Sequence, residues 1–233
     1  MKTPPSPQKP NQENSITSQE PLYINYSISQ ETPGKNIKTL YQKNKPQIQK
    51  KLNKFKSLDK KYYFSEFLFC LLTPQSQAQK CWQAVEELSK LHTFRKREVE
   101  KILQSKTRFH KTKTNHILNA PHLWHKEIKG KIRQDNPQWS RRWITENVRG
   151  LGMKEASHFL RNIGFSNNQI AILDRHILKN LKAQNLIKET KIKSEKHYLE
   201  IEQIYLNYAK ETNIPADELD LLWWSQENGE IFK

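Results

Sequence analysis

Only six glycines occur in this 233-residue chain. Two of them, Gly150 and Gly152, flank Leu151 between two stretches of helical periodicity. The upstream stretch runs Trp143-Ile144-Thr145-Glu146-Asn147-Val148-Arg149, and the downstream one begins Met153-Lys154-Glu155-Ala156. A chain this poor in glycine spends it where the backbone needs freedom or close approach. Two helices joined by so tight a link present unbonded amides, and the positive end of the second helix, to a common anion. The apolar Leu151 anchors the link, and the small Ala156 lets the second helix pack closely.

The rest of the chain fits a helical fold. Residues 62–72 are apolar nearly all round, as a helix buried mid-domain must be. Thr73-Pro74 reads as a cap and first residue of the next helix, whose stripe is Ala78, Cys81, Trp82, Val85, Leu88 and Leu91. Pro46 reads in the same way as the start of a helix carrying Ile48, Leu52 and Phe55. Further helices fit 96–104, 113–119, 140–149, 154–163, 175–182, 194–210 and 216–224. No β pattern follows residue 40, so the class is all-α, with about eight or nine helices. Residues 1–40 hold six of the eleven prolines with many Gln, Asn and Ser, and read as a flexible N-terminal arm. One stretch in it, residues 22–28, alternates like a short strand. Residues 41–233 hold all six Trp and every Phe and form the folded domain.

Charge narrows the function. The formal net charge is +16, and the arm contributes little of it, with four Lys against three Glu. A strongly basic body points to a polyanion, and nucleic acid gains affinity through release of phosphate counterions. The same lysine richness arises in a genome of biased composition. The link at Gly150-Leu151-Gly152 favours the first reading, as a helix-hairpin-helix motif that grips phosphate without reading sequence. Cys70 and Cys81 are too few for a disulfide framework or a four-cysteine iron–sulfur cluster. No apolar run reaches the ~20 residues that span a bilayer, and the N-terminus lacks the apolar core of a secretion signal. A soluble protein of the cytoplasm and nucleoid, or of the nucleus, is expected, with no membrane partner.

The stretch 150–164, followed by Ala171-Ile172-Leu173-Asp174-Arg175-His176-Ile177-Leu178, resembles the archaeal-type 8-oxoguanine DNA glycosylase/lyase family of the helix-hairpin-helix superfamily. The likeness extends upstream through 67–76 and Val99 to Arg108-Phe109, and downstream to 223–233, so it covers most of 45–233. It implies two helical subdomains flanking a DNA-binding cleft, and excision of oxidised guanine from double-stranded DNA by a monomer that needs no cofactor. The family's nucleophilic lysine maps onto Lys154 and its catalytic aspartate onto Asp174. The chemistry suits both. An enzyme that cleaves the glycosidic bond and then nicks needs an amine to attack C1′. At a helix N-terminus that amine is expected to lose its proton readily. A carboxylate stabilises the oxocarbenium charge and helps move protons. The loop 165–170 is about two residues longer than the family pattern leads one to expect.

Chemistry at C1′ requires the damaged nucleotide to leave the stack. The resemblance implies that Phe109 and Trp224 sandwich the extruded base, although each reads equally well as a core aromatic. It also implies that Lys233 recognises guanine with its terminal carboxylate, which accepts from the N1–H and N2–H₂ edge. Gln75 maps onto the residue that fills the gap in the duplex, while Gly150, Gly152 and Arg149 are expected at the phosphate backbone. His158 and His176 read as packing residues, and no cluster has metal-site spacing. Two other readings stay open: a glycosylase for another damaged base, and a non-catalytic helix-hairpin-helix module. The second needs neither Lys154 nor Asp174.

Overall fold

The computed structural model describes residues 33–228. They form helices α1 (Pro33–Lys56), α2 (Tyr63–Leu72), α3 (Ala78–Leu88), α4 (Lys96–Gln104), α5 (His110–Leu123), α6 (Pro137–Asn147), α7 (Met153–Asn162), α8 (Arg175–Ala183), α9 (Glu195–Thr212) and α10 (Ala216–Asn228). A 3₁₀ turn precedes α2, and a π turn, Trp124–Ile128, follows α5. No strand occurs among the described residues. The strand-like stretch at 22–28 lies outside them, as does Lys233.

Two boundaries differ from the sequence expectation. Pro46 does not open a helix; it sits inside α1, which starts at Pro33. The reason is burial. Ile37 and Tyr41 lie in the core on the same face as Ile48, Leu52 and Phe55, and that stripe outweighs the one backbone hydrogen bond proline forfeits. Residues 33–40, assigned above to the arm, are therefore helical. Nor does Thr73-Pro74 start α3. Thr73 closes α2 instead, its N–H bonding Phe69 O and its hydroxyl donating to Cys70 O, and α3 begins only at Ala78.

The side chains form two cores. The first gathers residues of α2 to α7, centred on Phe67, Phe69, Leu72, Leu103, Ile117 and Phe159. The second joins α1 to α8, α9 and α10 through Ile48, Leu181, Tyr205, Leu222 and Trp223. Helix α7 belongs to both: Ala156, Phe159 and Leu160 lie in the first core, and Met153 packs on the second. It ends in a Schellman motif, with Gly164 N–H bonding Arg161 O at 3.0 Å and Phe165 N–H bonding Leu160 O at 2.7 Å. Gly164 takes φ +76°, and a Cβ there would lie 2.7 Å from Lys56 Cα. Only glycine lets α1 cross the end of α7 so closely. The loop after it turns through left-handed Asn167 and Asn168. The buried Asp217 of α10 accepts from the Ser166 hydroxyl at 2.7 Å and from Asn168 N–H at 3.2 Å.

Candidate active site

Helix α6 ends at Asn147, and α7 begins after Gly152. Between them Gly150 adopts φ +102°, where a Cβ would stand 3.0 Å from the His116 ring. Leu151 is buried, while Arg149, Gly150 and Gly152 face solvent. Gly152 is the N-cap of α7 and has no side chain to cap it, so the amides opening α7 are left for an outside acceptor. Burial, reinforced by the Arg149 and Lys113 charges, holds His116 below the usual histidine value. A neutral ring thus backs the hairpin.

Lys154 sits one residue into α7. Its side chain is 32% exposed, and Nζ lies 3.0 Å from Glu155 Oε1. Glu155 was not singled out in the sequence, yet it is the carboxylate that meets the amine. Asp174 is the N-cap of α8: its Oδ1 accepts from His176 N–H at 2.8 Å and Ile177 N–H at 2.9 Å. It therefore does the capping work that the sequence allowed, and it remains half-buried rather than enclosed.

The segment leading to Asp174 has no regular partner, so its buried backbone groups must be satisfied by side chains. Helix α9 supplies them. The Tyr198 hydroxyl donates to Ala171 O at 2.7 Å and accepts from Leu173 N–H at 3.2 Å. Glu202 Oε1 accepts from Ala171 N–H at 2.7 Å. The same carboxylate takes a two-pronged bond from Arg141 of α6, whose Nη2 lies 2.7 Å from Oε2 and whose Nη1 bonds Oε1. Arg141 Nη1 also donates to Ser157 of α7 at 3.2 Å. One buried ion pair thus ties the helix bearing Lys154 to the segment bearing Asp174.

Behind Asp174 lies a buried acidic group. Asp220 of α10 has Arg161 Nη2 3.6 Å from its Oδ2. Burial pushes the Asp220 carboxyl up to about 7, against the pull of Arg161, with the charges of Asp174 and Asp217 adding to the rise. A raised carboxyl binds its proton more tightly folded than unfolded. The stability this brings is present below the ordinary aspartate range and is lost as pH rises through about 7. The difference in urea midpoint between wild type and Asp220→Asn is therefore expected to shift in favour of the asparagine variant between pH 5 and pH 8. A difference constant across that range would refute this assignment.

Of the residues expected to handle the base, Gln75, Phe109 and Trp224 lie within the described residues. Gln75 and Phe109 are both exposed and both left-handed, at φ 53° and φ 56°. Such a backbone costs a non-glycine residue about 1 kcal/mol or more. Phe109 is 57% exposed and stands at the N-cap of α5, with the Arg108 guanidinium 5.5 Å from its ring centre. It is not a core aromatic. In the Trp223-Trp224 pair the core residue is Trp223, stacked on Tyr208 at 5.6 Å; Trp224 is half-buried. An open groove of about 300 Å³ lies beside the Gln75 turn, lined by Gln75, Ser76, Lys80, Lys106 and Arg108 among others. No set of three or more His, Cys, Asp or Glu residues among those described has a metal-holding arrangement. No described helix is long and apolar enough to cross a membrane.

Residues 48–214 match the sequence profile of the helix-hairpin-helix 8-oxoguanine DNA glycosylase family. The chain belongs to that family. It is 36% identical over 217 residues to the 8-oxoguanine DNA glycosylase/AP lyase of Fusobacterium nucleatum, spanning 84% of this chain and 96% of the relative. The counterpart from Methanocaldococcus jannaschii is 35% identical over 193 residues, 80% of this chain and 91% of that one. Among solved structures, the 8-oxoguanine DNA glycosylase of Thermotoga maritima superposes with a TM-score of 0.75 at 30% identity, covering 85% of this chain and 97% of its own. The Methanocaldococcus jannaschii enzyme in complex with a 15-mer DNA containing 8-oxoguanine gives 0.74 at 31% identity, covering 85% and 100%. The family match runs through both cores, the hairpin and Asp174, and stops at residue 214, just before α10.

Proposed function

We propose that Lys154 and Asp174 are the catalytic pair of a base-excision repair enzyme that removes 8-oxoguanine from duplex DNA and nicks the abasic strand. The hairpin at Gly150–Gly152, with Arg149, holds backbone phosphates, and the damaged nucleotide swings out of the stack. The Lys154 amine, once its proton has passed to a neighbouring carboxylate, attacks C1′ as the base departs with the glycosidic electron pair. Asp174 stabilises the positive charge that grows on the sugar. Ring opening gives a Schiff base between Nζ and C1′. Loss of a C2′ proton then expels the 3′ phosphate, and water releases the enzyme. Phe109 and Trp224 stack on the extruded base, Lys233 reads its guanine edge, and Gln75 fills the space left in the duplex. The site of action is wherever the cell keeps its chromosomal DNA.

What supports this reading is a lysine on the first turn of the hairpin helix and a carboxylate at the start of α8, on two segments that Arg141 and Glu202 brace together. Asp174→Asn tests it cleanly, because asparagine caps a helix as well as aspartate does and only the charge is lost. Base release from a duplex with one 8-oxoguanine is expected to slow by on the order of 10²–10³ at saturating protein, with DNA affinity nearly unchanged. Release at the wild-type rate would remove Asp174 from the chemistry.

A further inference from the structure

The turns bearing Gln75 and Phe109 are far apart in sequence, and neither is regular structure. What holds them is a lysine that no sequence signal picked out. Lys113 lies on the first turn of α5 and is 4% exposed. Its ammonium donates to Leu72 O at 2.7 Å, Pro74 O at 2.8 Å and the Ser76 hydroxyl at 2.8 Å. An ammonium has three protons, and all three are accounted for, which is the condition for burying it. Leu72 O is the last carbonyl of α2, the negative end of that helix, where a cation is favoured.

Ser76 is saturated as well. Its oxygen accepts from Lys113 Nζ and from Arg108 N–H at 2.9 Å, while the hydroxyl donates to Pro74 O at 3.4 Å. Arg108 immediately precedes Phe109, and Lys113 N–H bonds Phe109 O at 3.0 Å. The two side chains therefore fasten the Gln75 turn to the Phe109 turn from beneath. The left-handed backbones at 75 and 109 are conformations that persist only where the surroundings over-determine them. The charges of Arg108 and of Lys154 and Glu155, on the first turn of α7, all act on Lys113.

We infer that Lys113 and Ser76 are positioning residues for base extrusion: a buried ammonium-hydroxyl bolt that sets Gln75 and Phe109 in the geometry the flipped nucleotide requires. This rests on the reading that Gln75 fills the duplex and Phe109 stacks on the base. Burial holds the Lys113 ammonium down to about 8, yet its three protons are spent on the turn, so it is not a second nucleophile.

The test uses the full chain and a duplex with one 8-oxoguanine and 2-aminopurine on its 3′ side, whose fluorescence rises when stacking is lost. Ser76→Ala and Lys113→Met are expected to cut the fluorescence rise and slow single-turnover excision on the order of tenfold. DNA affinity should move less than about twofold, and Ser76→Thr, which keeps the hydroxyl, should restore both signals. Adding Gln75→Ala to Ser76→Ala should cost little more than Gln75→Ala alone. If Lys113→Met fails to fold, Ser76→Ala and its threonine rescue decide. Should Gln75→Ala and Phe109→Ala slow excision while Ser76→Ala and Lys113→Met do not, the inference alone is overturned. If Gln75→Ala and Phe109→Ala are themselves without effect, the reading of those two residues fails and the bolt falls with it.

Discussion

Lys154→Gln is expected to abolish strand nicking altogether and to lower base release by about 1000-fold or more, the scale seen when a nucleophile is removed from a working constellation. The variant should still fold. Lys154 is 32% exposed, and its ion pair is with the adjacent Glu155, so the change in stability should stay within about 0.5 kcal/mol. It should still bind the lesion duplex too, since the hairpin amides and Arg149 are untouched. Denaturing gels that resolve nicked from intact strand, with separate measurement of free base, check the rates; thermal melting checks the fold. Retained nicking would place the Schiff base on another amine.

The largest effect on stability is expected from the pair at Arg141 and Glu202. Arg141 is 3% and Glu202 7% exposed at the side chain. Removing either partner strands the other charge in the core, and removing Glu202 also leaves Ala171 N–H without its acceptor. Glu202→Ala or Arg141→Met should therefore cost about 3–5 kcal/mol, a large part of the margin a domain of this size possesses. Replacing both with methionine should cost markedly less than either single change, because no unpaired charge remains. Urea unfolding of the three variants measures this. Excision should fall in the single variants even below the unfolding transition, since Glu202 and Tyr198 hold the segment that presents Asp174.

What the sequence disclosed and what it hid divide along physical lines. Strong apolar periodicity placed α4, α8 and α9 within a residue or two, and the Gly150-Leu151-Gly152 link located the hairpin where the backbone bends. The places of Lys154 at a helix start and Asp174 at a helix N-cap were legible, because a glycine link precedes the first and an apolar helical stripe follows the second. The prolines misled. Proline favours a first helical turn, and nothing local said that Pro46 would be carried inside α1 by Ile37 and Tyr41 or that Pro74 would stay in a turn. The in-phase spacing of Ile37, Tyr41, Ile48, Leu52 and Phe55 was the available clue. The Arg141–Glu202 pair and Lys113 had no signal at all. In a chain so rich in lysine, one more is unremarkable until folding puts three oxygens around it. The left-handed turns at Gln75 and Phe109 were hidden for the same reason, being imposed by tertiary contacts and not by residues that prefer them.

The nucleophile can be caught in place on its own substrate. The 233-residue chain is mixed with a duplex carrying a single 8-oxoguanine, the Schiff base is fixed with borohydride, and the cross-linked protein is digested and mapped by mass spectrometry. A covalent adduct is expected on the peptide containing Lys154, with 8-oxoguanine released in step. An adduct on another lysine, the buried Lys113 included, or base release with no adduct at all, would contradict the assignment of Lys154.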